Sequence, residues 1–165
     1  MVIIVFGLPG SGKSYFASRL ALKLDAIYVN SDELRLKLLS KRTYSDTEKI
    51  LVYEHILAAM KHALQNKKTI VLDATFYKEA IRKTFEETAA AFNEHIIYIE
   101  VTAPEDIIAE RVAKPRTHSE ADFAVYLKLK AIFEPLQKEH LVLVSSNNDI
   151  APSLQQAIEY INTAK

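Results

Sequence analysis

The chain has 165 residues, of which 49% are hydrophobic, and its 21 basic and 21 acidic side chains give a formal net charge of zero. We expect one domain over residues 1–165, and the absence of cysteine excludes disulfides and thiolate metal sites. The balanced charge argues against a long nucleic acid as partner, and no apolar run suits a membrane span or signal peptide, so we expect a cytoplasmic protein with no membrane partner.

The first predicted strand, residues 2–6, leads into a loop that contains all three glycines of the chain. This loop, the phosphate loop (residues 7–14), has the sequence Gly7-Leu8-Pro9-Gly10-Ser11-Gly12-Lys13-Ser14. A helical pattern over residues 15–24 follows, so the G-x-x-x-x-G-K-S motif has the setting that it requires, between a strand and a helix. The motif predicts a site for the phosphates of a nucleoside triphosphate. The alternative is a glycine turn that only joins a strand to a helix.

The residue types of the phosphate loop suit an anion. Glycine lets backbone N–H groups approach a phosphate closely, and the following helix directs its positive end to the same place. Lys13 would contact the β- and γ-phosphates, and the Ser14 hydroxyl would ligate Mg²⁺. The predicted nucleotide-binding residues of this region are Gly7, Pro9, Gly10, Ser11, Gly12, Lys13, Ser14 and Tyr15.

The remaining predicted strands alternate with helical patterns. They cover residues 26–30, 69–73, 96–101 and 141–144. This alternation predicts an α/β fold with a parallel sheet covered by helices on both faces. A long helix follows Ser45, and Ser45 with Glu48 forms a capping box at its start.

Asp32 and Arg35 follow the second predicted strand, at the sheet edge where open parallel sheets bind ligands. Their spacing of three residues lets both side chains face one cleft. Asp32 could accept a proton from an acceptor hydroxyl, and Arg35 could hold an anionic group of the acceptor or the transferring phosphoryl group. The alternative is a helix whose N-cap is Ser31 or Asp32, with a solvent-facing ion pair.

The third predicted strand ends in an aspartate, Asp73. A carboxylate at this position could hold Mg²⁺ directly or through water, or it could cap the next helix or order the loop. The next residue is Ala74, where motor-type ATPases need a glutamate to activate water. Its identity argues against a hydrolytic switch.

A short basic segment interrupts two helical patterns at about residues 111–122. Pro115 breaks the first helix, and Ser119 with Asp122 is an imperfect capping box for the second. The segment carries Arg111, Lys114 and Arg116, and it is predicted to be a lid that excludes water and brings positive charge to the phosphoryl group. The alternative is a solvated corner between two helices.

In this order, the motifs resemble those of the P-loop kinases of the polynucleotide-kinase and zeta-toxin-like group, and above all the predicted kinases of the AAA-33 family. The resemblance covers nearly the whole chain and rests on residues 7–14, 31–35, 71–75, 111–116, 119–122 and 133–135. It implies a three-layer P-loop NTPase fold with a helical lid. The implied sheet has five parallel strands in the order 2-3-1-4-5, and the implied cofactors are ATP and Mg²⁺.

The same resemblance implies roles for particular residues. Asp32 is similar to the aspartate that acts as general base, and Arg35 to the arginine that contacts the acceptor or the phosphates. Asp73 is similar to a residue that sets the network of acceptor and metal-bound water. Arg111 and Arg116 are similar to lid arginines that contact the donor phosphates or stack on adenine, although their spacing of five differs from the common four. Lys13, Asp32, Arg35 and Arg116 are thus the expected catalytic residues, and Ser14 and Asp73 the expected metal ligands.

We therefore expect an ATP-dependent kinase that transfers the γ-phosphoryl group to a hydroxyl of a small molecule or of a nucleic-acid 5′ end. The acceptor is expected near residues 37–53, where Lys41 and Arg42 are either part of the site or a solvated basic corner. Two other functions stay open: a nucleotide-binding regulatory module, and a toxin-like kinase of a sugar nucleotide. The alanine after Asp73 argues against the first of these.

Overall fold

The structure is a computed structural model that describes residues 1–40, 43, 45–114 and 122–164. The strands are β1 (Val2–Phe6), β2 (Ile27–Asn30), β3 (Ile70–Asp73), β4 (Ile96–Thr102) and β5 (Leu141–Val144). The helices are α1 (Lys13–Lys23), α2 (Ser31–Leu38), α3 (Asp46–Gln65), α4 (Glu79–Ala90), α5 (Glu105–Ala113), α6 (Phe123–Ile132) and α7 (Ala151–Thr163). In the part of the chain that the structure describes, no helix has both the length and the apolar character needed to cross a membrane.

The five strands form one parallel sheet in the order β2-β3-β1-β4-β5. This order confirms the predicted one. The register places Val5 of β1 beside Asp73 of β3, and Asp73 beside Asn30 of β2. The carboxyl ends of these three neighbouring strands therefore meet at one edge of the sheet, which is the edge where the phosphate loop begins.

The central position of β1 in the sheet explains why its sequence is apolar throughout. All five of its residues are fully buried, and they alternate between two cores. Ile4 packs with α3 and α4 on one face of the sheet, whereas Ile3 packs with α1 and α7 on the other. A strand between two helical layers needs apolar side chains on both faces. The predicted three-layer α/β architecture is thus confirmed.

The starts of α1 and α3 are set by their capping residues. Helix α1 begins at Lys13, two residues before the predicted pattern, because Gly12 is its N-cap with φ 92°. At the start of α3, Ser45 Oγ accepts a hydrogen bond from Glu48 N at 3.3 Å, which is half of the predicted capping box. The Glu48 carboxylate instead accepts hydrogen bonds from Thr43 N and Oγ1, both at 2.6 Å. The other carboxylate oxygen of Glu48, Oε1, lies 3.2 Å from Arg35 Nε on the neighbouring helix α2.

Candidate nucleotide and acceptor site

The phosphate loop lies between β1 and α1 at the carboxyl edge of the sheet. Gly7 has φ 145°, and a Cβ at this residue would lie 2.2 Å from the carbonyl oxygen of Val101 on the adjacent β4. Any side chain at Gly7 would therefore push the loop away from the sheet. Gly12 takes a left-handed conformation that directs the chain into α1, so the N-terminus of α1 opens on the same cavity as the loop.

Two carbonyl groups of the phosphate loop are bound by residues that come much later in the chain. Arg111 Nη1 of α5 donates to Gly10 O at 3.2 Å, and Ser145 Oγ, just after β5, donates to Ser11 O. Arg111 also donates to Ser145 Oγ at 2.7 Å, to Ser146 O at 3.0 Å and to Asn147 Oδ1 at 3.1 Å. Arg111 therefore joins the phosphate loop to the β5–α7 loop at the rim of the cavity. Its predicted contact with the nucleotide stays a prediction.

A buried polar network lies beneath the phosphate loop. Asp73 is fully buried, and its Oδ2 accepts a hydrogen bond from Tyr28 OH at 2.7 Å and another from Asn30 Nδ2. Asn30 Nδ2 also lies 3.2 Å from Ser14 Oγ. Burial raises the pKa of the Asp73 carboxyl group, while the charge of Lys13 and hydrogen bonds from neighbouring groups oppose this shift. The structure thus brings Lys13, Ser14 and Asp73 together, as the sequence predicts.

The donor set around Ser14 and Asp73 suits a hard cation. Within the described residues, Asp73 Oδ1 is buried without a hydrogen-bond partner, and a buried carboxylate oxygen needs a proton, a water or a metal. Among the same residues there is no group of three or more His, Asp or Glu side chains that could hold a metal. Mg²⁺ needs no such group, because one or two protein oxygens and the phosphates of its substrate commonly hold it. Ser14 and Asp73 therefore fit Mg²⁺ that arrives with a nucleotide.

Helix α2 carries the predicted acceptor-side residues in a charge cluster that continues into α3. Arg35 Nη1 donates to Asp32 Oδ1 at 2.9 Å, and Arg35 Nε lies 3.2 Å from Glu48 Oε1. The exposed fractions of the three side chains are 22% for Asp32, 9% for Arg35 and 6% for Glu48. The pair formed by Asp32 and Arg35 thus lies at the cavity wall rather than facing solvent. The N-cap of α2 is Asn30, so neither Ser31 nor Asp32 has that role.

The loop between β3 and α4 supplies a part of the cavity wall that the sequence did not reveal. Phe76 has a left-handed backbone with φ 46°, which is rare for a bulky residue and costs on the order of 1–3 kcal/mol. Its N–H donates to Tyr53 OH at 2.9 Å, and its carbonyl accepts from Arg82 Nη1 at 2.7 Å. These contacts hold the loop so that Thr75 and Tyr77 line the cavity. No local sequence pattern indicates a strained phenylalanine.

One cavity of about 890 Å³ joins these parts. It extends from Arg111 and the β5–α7 loop, past Lys13, to Asp32 and Tyr77. Ligand pockets commonly measure roughly 300–1,000 Å³, so this one has room for a nucleotide and a small second ligand. The phosphate loop and the α2 carboxylate therefore open on a shared space, as a reaction between two bound molecules requires.

Part of the predicted lid lies outside the described residues. Helix α5 ends at Ala113, and α6 begins after Asp122, whose side chain accepts a hydrogen bond from Val125 N at 2.9 Å. Asp122 is thus itself the N-cap, the position that the predicted box gave to Ser119. Arg116, Pro115 and Ser119 lie outside the described residues, as do Lys41 and Arg42. Their predicted roles stay predictions.

Two missed residues had a signal in the sequence. Tyr28 and Asn30 are two residues apart on β2, so their polar side chains share one face of a strand whose register ends beside Asp73. Glu48 had only its capping-box position, which does not indicate a partner on another helix. Tyr53 lies on α3, and its hydroxyl accepts a hydrogen bond from the N–H of Phe76, 23 positions away, which no local pattern indicates.

The sequence model of the family AAA_33, described as an AAA domain, matches residues 2–136. The chain belongs to the AAA_33 family. The predicted resemblance to this family is confirmed, and the match includes every site residue that the sequence predicted. Ser145 and the β5–α7 loop, which complete the cavity of this AAA_33 protein, follow the matched region.

Curated relatives are longer than this AAA_33 chain. The uncharacterized protein Rv2004c of Mycobacterium tuberculosis and the uncharacterized protein Mb2027c of Mycobacterium bovis are each 26% identical over 141 residues. Each match covers 78% of this chain and 28% of the relative. The chain therefore spans under one third of the length of these relatives.

Solved structures share the AAA_33 chain's fold. A putative kinase from Chloroflexus aurantiacus is similar with a TM-score of 0.77 and 16% identity, over 99% of this chain and 97% of that one. Kti12 of Chaetomium thermophilum, in complex with ADP-AlF3, is similar with a TM-score of 0.76 and 20% identity, over 99% of this chain and 98% of that one. The APS kinase CysC of Mycobacterium tuberculosis, in complex with AMPPNP and APS, is similar with a TM-score of 0.74 and 18% identity, over 98% of this chain and 96% of that one. At these identities the likeness establishes the fold alone.

Proposed function

We propose that this AAA_33 protein is an ATP-dependent kinase that transfers the γ-phosphoryl group to a hydroxyl of a small molecule or of a nucleic-acid 5′ end. The observation that carries this proposal is the shared cavity, in which the phosphate loop and the Asp32 carboxylate face the same space. A nucleotide-binding protein without an acceptor does not need a carboxylate at this place. The names of two relatives of the same fold, a putative kinase and an APS kinase, agree with the proposal.

The donor half would hold ATP through the backbone of the phosphate loop, with Lys13 on the β- and γ-phosphates. Mg²⁺, held through Ser14 and Asp73, would neutralise negative charge on the same phosphates. Arg111 would support the loop from its outer side, because it donates to Gly10 O. Arg116 is proposed to bring a further positive charge. This half would thus stabilise the charge on the transferring group, which is the main task in phosphoryl transfer.

The acceptor half would orient the hydroxyl and take up its proton. As the hydroxyl oxygen forms a bond to the γ-phosphorus and the bond to the β–γ bridging oxygen breaks, Asp32 would accept the hydroxyl proton and ADP would leave. The hydrogen bond from Arg35 Nη1 to Asp32 Oδ1 would hold this carboxylate in place. Arg35 also lines the cavity, so it is the proposed contact for the acceptor or the transferring phosphoryl group.

The residue after Asp73 argues against a hydrolytic switch. Ala74 is buried, with 1% of its surface exposed, and its N–H donates to Val5 O at 3.4 Å. An alanine at this place cannot activate a water molecule. Transfer to a bound hydroxyl, with Asp32 as the base, is therefore the better supported reaction.

The proposal is tested by incubating the protein with labelled ATP, Mg²⁺ and a panel of sugars, nucleosides and 5′-hydroxyl oligonucleotides. Asp32→Asn is expected to lower the rate of transfer to the accepted compound by about 10²- to 10⁴-fold, because it removes the proton acceptor. Asp106→Asn makes the same chemical change at an exposed residue of α5 that does not line the cavity, so it is the matched control, with a rate near that of the unchanged protein.

Two results would contradict the proposal at different points. Transfer by Asp32→Asn at the unchanged rate would mean that Asp32 is not the base. Slow release of inorganic phosphate that no compound in the panel accelerates would mean that the protein is not a kinase for these acceptors, and it would favour the regulatory module.

A further inference from the structure

The side chain of Asn30 lies where the nucleotide half and the acceptor half of the cavity meet. Asn30 is the last residue of β2 and is 5% exposed, and the sheet register places it directly beside Asp73. It also immediately precedes α2, the helix that carries Asp32 and Arg35. One amide side chain is therefore in reach of both halves.

The amide oxygen of Asn30 faces the acceptor half. Oδ1 accepts hydrogen bonds from the backbone N–H groups of Asp32 and Glu33, each at 2.9 Å. These bonds satisfy two of the unpaired N–H groups in the first turn of α2. The oxygen thus fixes the turn that bears the proposed base.

The amide nitrogen of Asn30 faces the nucleotide half. Nδ2 lies 3.2 Å from Ser14 Oγ and 3.2 Å from Tyr28 OH, and it donates to Asp73 Oδ2. Because two N–H donors face Oδ1 and a carboxylate faces Nδ2, only one orientation of the amide satisfies its surroundings. The nitrogen thus bonds to both residues that suit Mg²⁺.

We propose that Asn30 is a positioning residue that couples the Ser14–Asp73 pair to the first turn of α2 and so aligns Asp32 with the bound nucleotide. The amide is planar and rigid, so a shift of Ser14 or Asp73 on one side moves the helix turn on the other. For its effect on catalysis the proposal rests on the kinase function. The coupling itself requires only that a nucleotide binds at the phosphate loop.

The decisive variant is Asn30→Asp. An aspartate keeps an oxygen that can cap α2, but it removes the N–H donor and places a second carboxylate beside Asp73. Asn30→Ala removes both the cap and the donor. Asn66→Asp is the matched control, because it makes the same chemical change at the C-cap of α3, outside the cavity.

In kinetics, Asn30→Asp is expected to lower kcat by about 10- to 100-fold, which is the usual effect of losing a group that orients a metal-binding or catalytic residue. KM for ATP should change by less than about threefold, since the phosphate loop and Lys13 are intact. A loss of stability alone would not separate kcat from KM in this way. A rise in KM that accounts for the whole loss would overturn the proposal, as would an equal loss in Asn66→Asp.

The second readout does not depend on catalysis. Amide hydrogen exchange is measured at Asp32 and Glu33, without ligand and with a non-hydrolysable ATP analogue and Mg²⁺. The nucleotide is expected to slow exchange at both amides in the unchanged protein and in Asn66→Asp, but not in Asn30→Asp or Asn30→Ala.

The exchange result decides the coupling even if no acceptor is found. If the nucleotide leaves these amides unaffected in the unchanged protein, or protects them equally in Asn30→Asp, the proposal is wrong. If the protection depends on Asn30 while the unchanged protein transfers no phosphoryl group, the coupling stands and only the kinase function fails.

Discussion

The two halves of the cavity are built in different ways. The nucleotide half comes mainly from eight consecutive residues, 7–14, whose backbone is proposed to bind the phosphates. The acceptor half takes single side chains from β2, α2, α3 and the β3–α4 loop. A site formed by backbone can be encoded in one short motif. A site formed by dispersed side chains depends on tertiary contacts, so sequence patterns reveal little of it.

The halves also differ in how they carry charge. Lys13 in the nucleotide half faces the cavity, where we propose that it contacts the phosphates of a nucleotide. Arg35 in the acceptor half is buried between two carboxylates, those of Asp32 and Glu48. We therefore expect substitutions in the first half to affect chiefly nucleotide chemistry, and those in the second to affect stability as well. The following variants test this difference, in order of expected effect.

The largest effect is expected for Lys13→Ala. It removes the cation that would neutralise the transferring phosphoryl group, and losing one such charge-stabilising contact costs about 10²- to 10³-fold in kcat. The free energy of unfolding should fall by about 1 kcal/mol at most, because Lys13 is only partly buried although its charge favours the ionised Asp73 carboxylate. The kcat is measured by transfer from labelled ATP, and the free energy of unfolding is measured by urea unfolding. Lys23→Ala, at the exposed end of the same helix, should change neither. A large loss of stability in Lys13→Ala would contradict the proposed division.

A smaller but still large effect is expected for Glu48→Ala in the acceptor half. It leaves the buried Arg35 guanidinium without one carboxylate, and breaking a buried ion pair costs about 3–5 kcal/mol. Because Asp32 still pairs with Arg35, we expect the lower value, about 3 kcal/mol, in urea unfolding. Glu87→Ala removes the partner of Lys83 in an exposed pair and is expected to cost under about 1 kcal/mol. Equal losses in the two variants would show that burial of the cluster does not matter.

The smallest effect is expected for Arg111→Lys, which keeps the charge but removes the planar fork that reaches Gly10 O and the β5–α7 loop. Losing about 1.4 kcal/mol of loop support corresponds to an approximately tenfold weaker affinity for a nucleotide analogue. Titration calorimetry would measure it. Lys130→Ala, which removes an exposed contact with Glu105, serves as the control. Unchanged affinity in Arg111→Lys would mean that the phosphate loop holds its shape without this arginine.

The sequence predicted the fold because the signals for it are local. Alternation of apolar strands with helical patterns indicated the three layers, and β1 is apolar because it serves two cores. The resemblance to a family supplied the strand order. Strand limits were accurate to one residue, for example β2, which was predicted at residues 26–30 and lies at Ile27–Asn30.

The sequence predicted less of the site, for physical reasons. Asp32 and Arg35 were placed correctly at the sheet edge, but the capping role fell to Asn30. Its extended backbone immediately before the helix lets its side-chain oxygen accept hydrogen bonds from two N–H groups of α2. The buried position of Glu48 depends on how α2 and α3 pack. The strained backbone of Phe76 depends on Tyr53 and Arg82. Contacts between distant residues have no periodic pattern to detect.

The bonds from Arg111 and Ser145 to the phosphate loop bear on the order in which the protein becomes competent during synthesis. The ribosome makes the loop well before these partners, since Arg111 follows Gly10 by 101 residues and Ser145 follows Ser11 by 134. Ser145 N also donates to Thr102 O at 2.7 Å, which fixes this residue at the end of β5 beside β4. The phosphate loop is therefore made early, but it reaches the shape seen in the structure only after β5, the last strand of the described sheet, has taken its place beside β4.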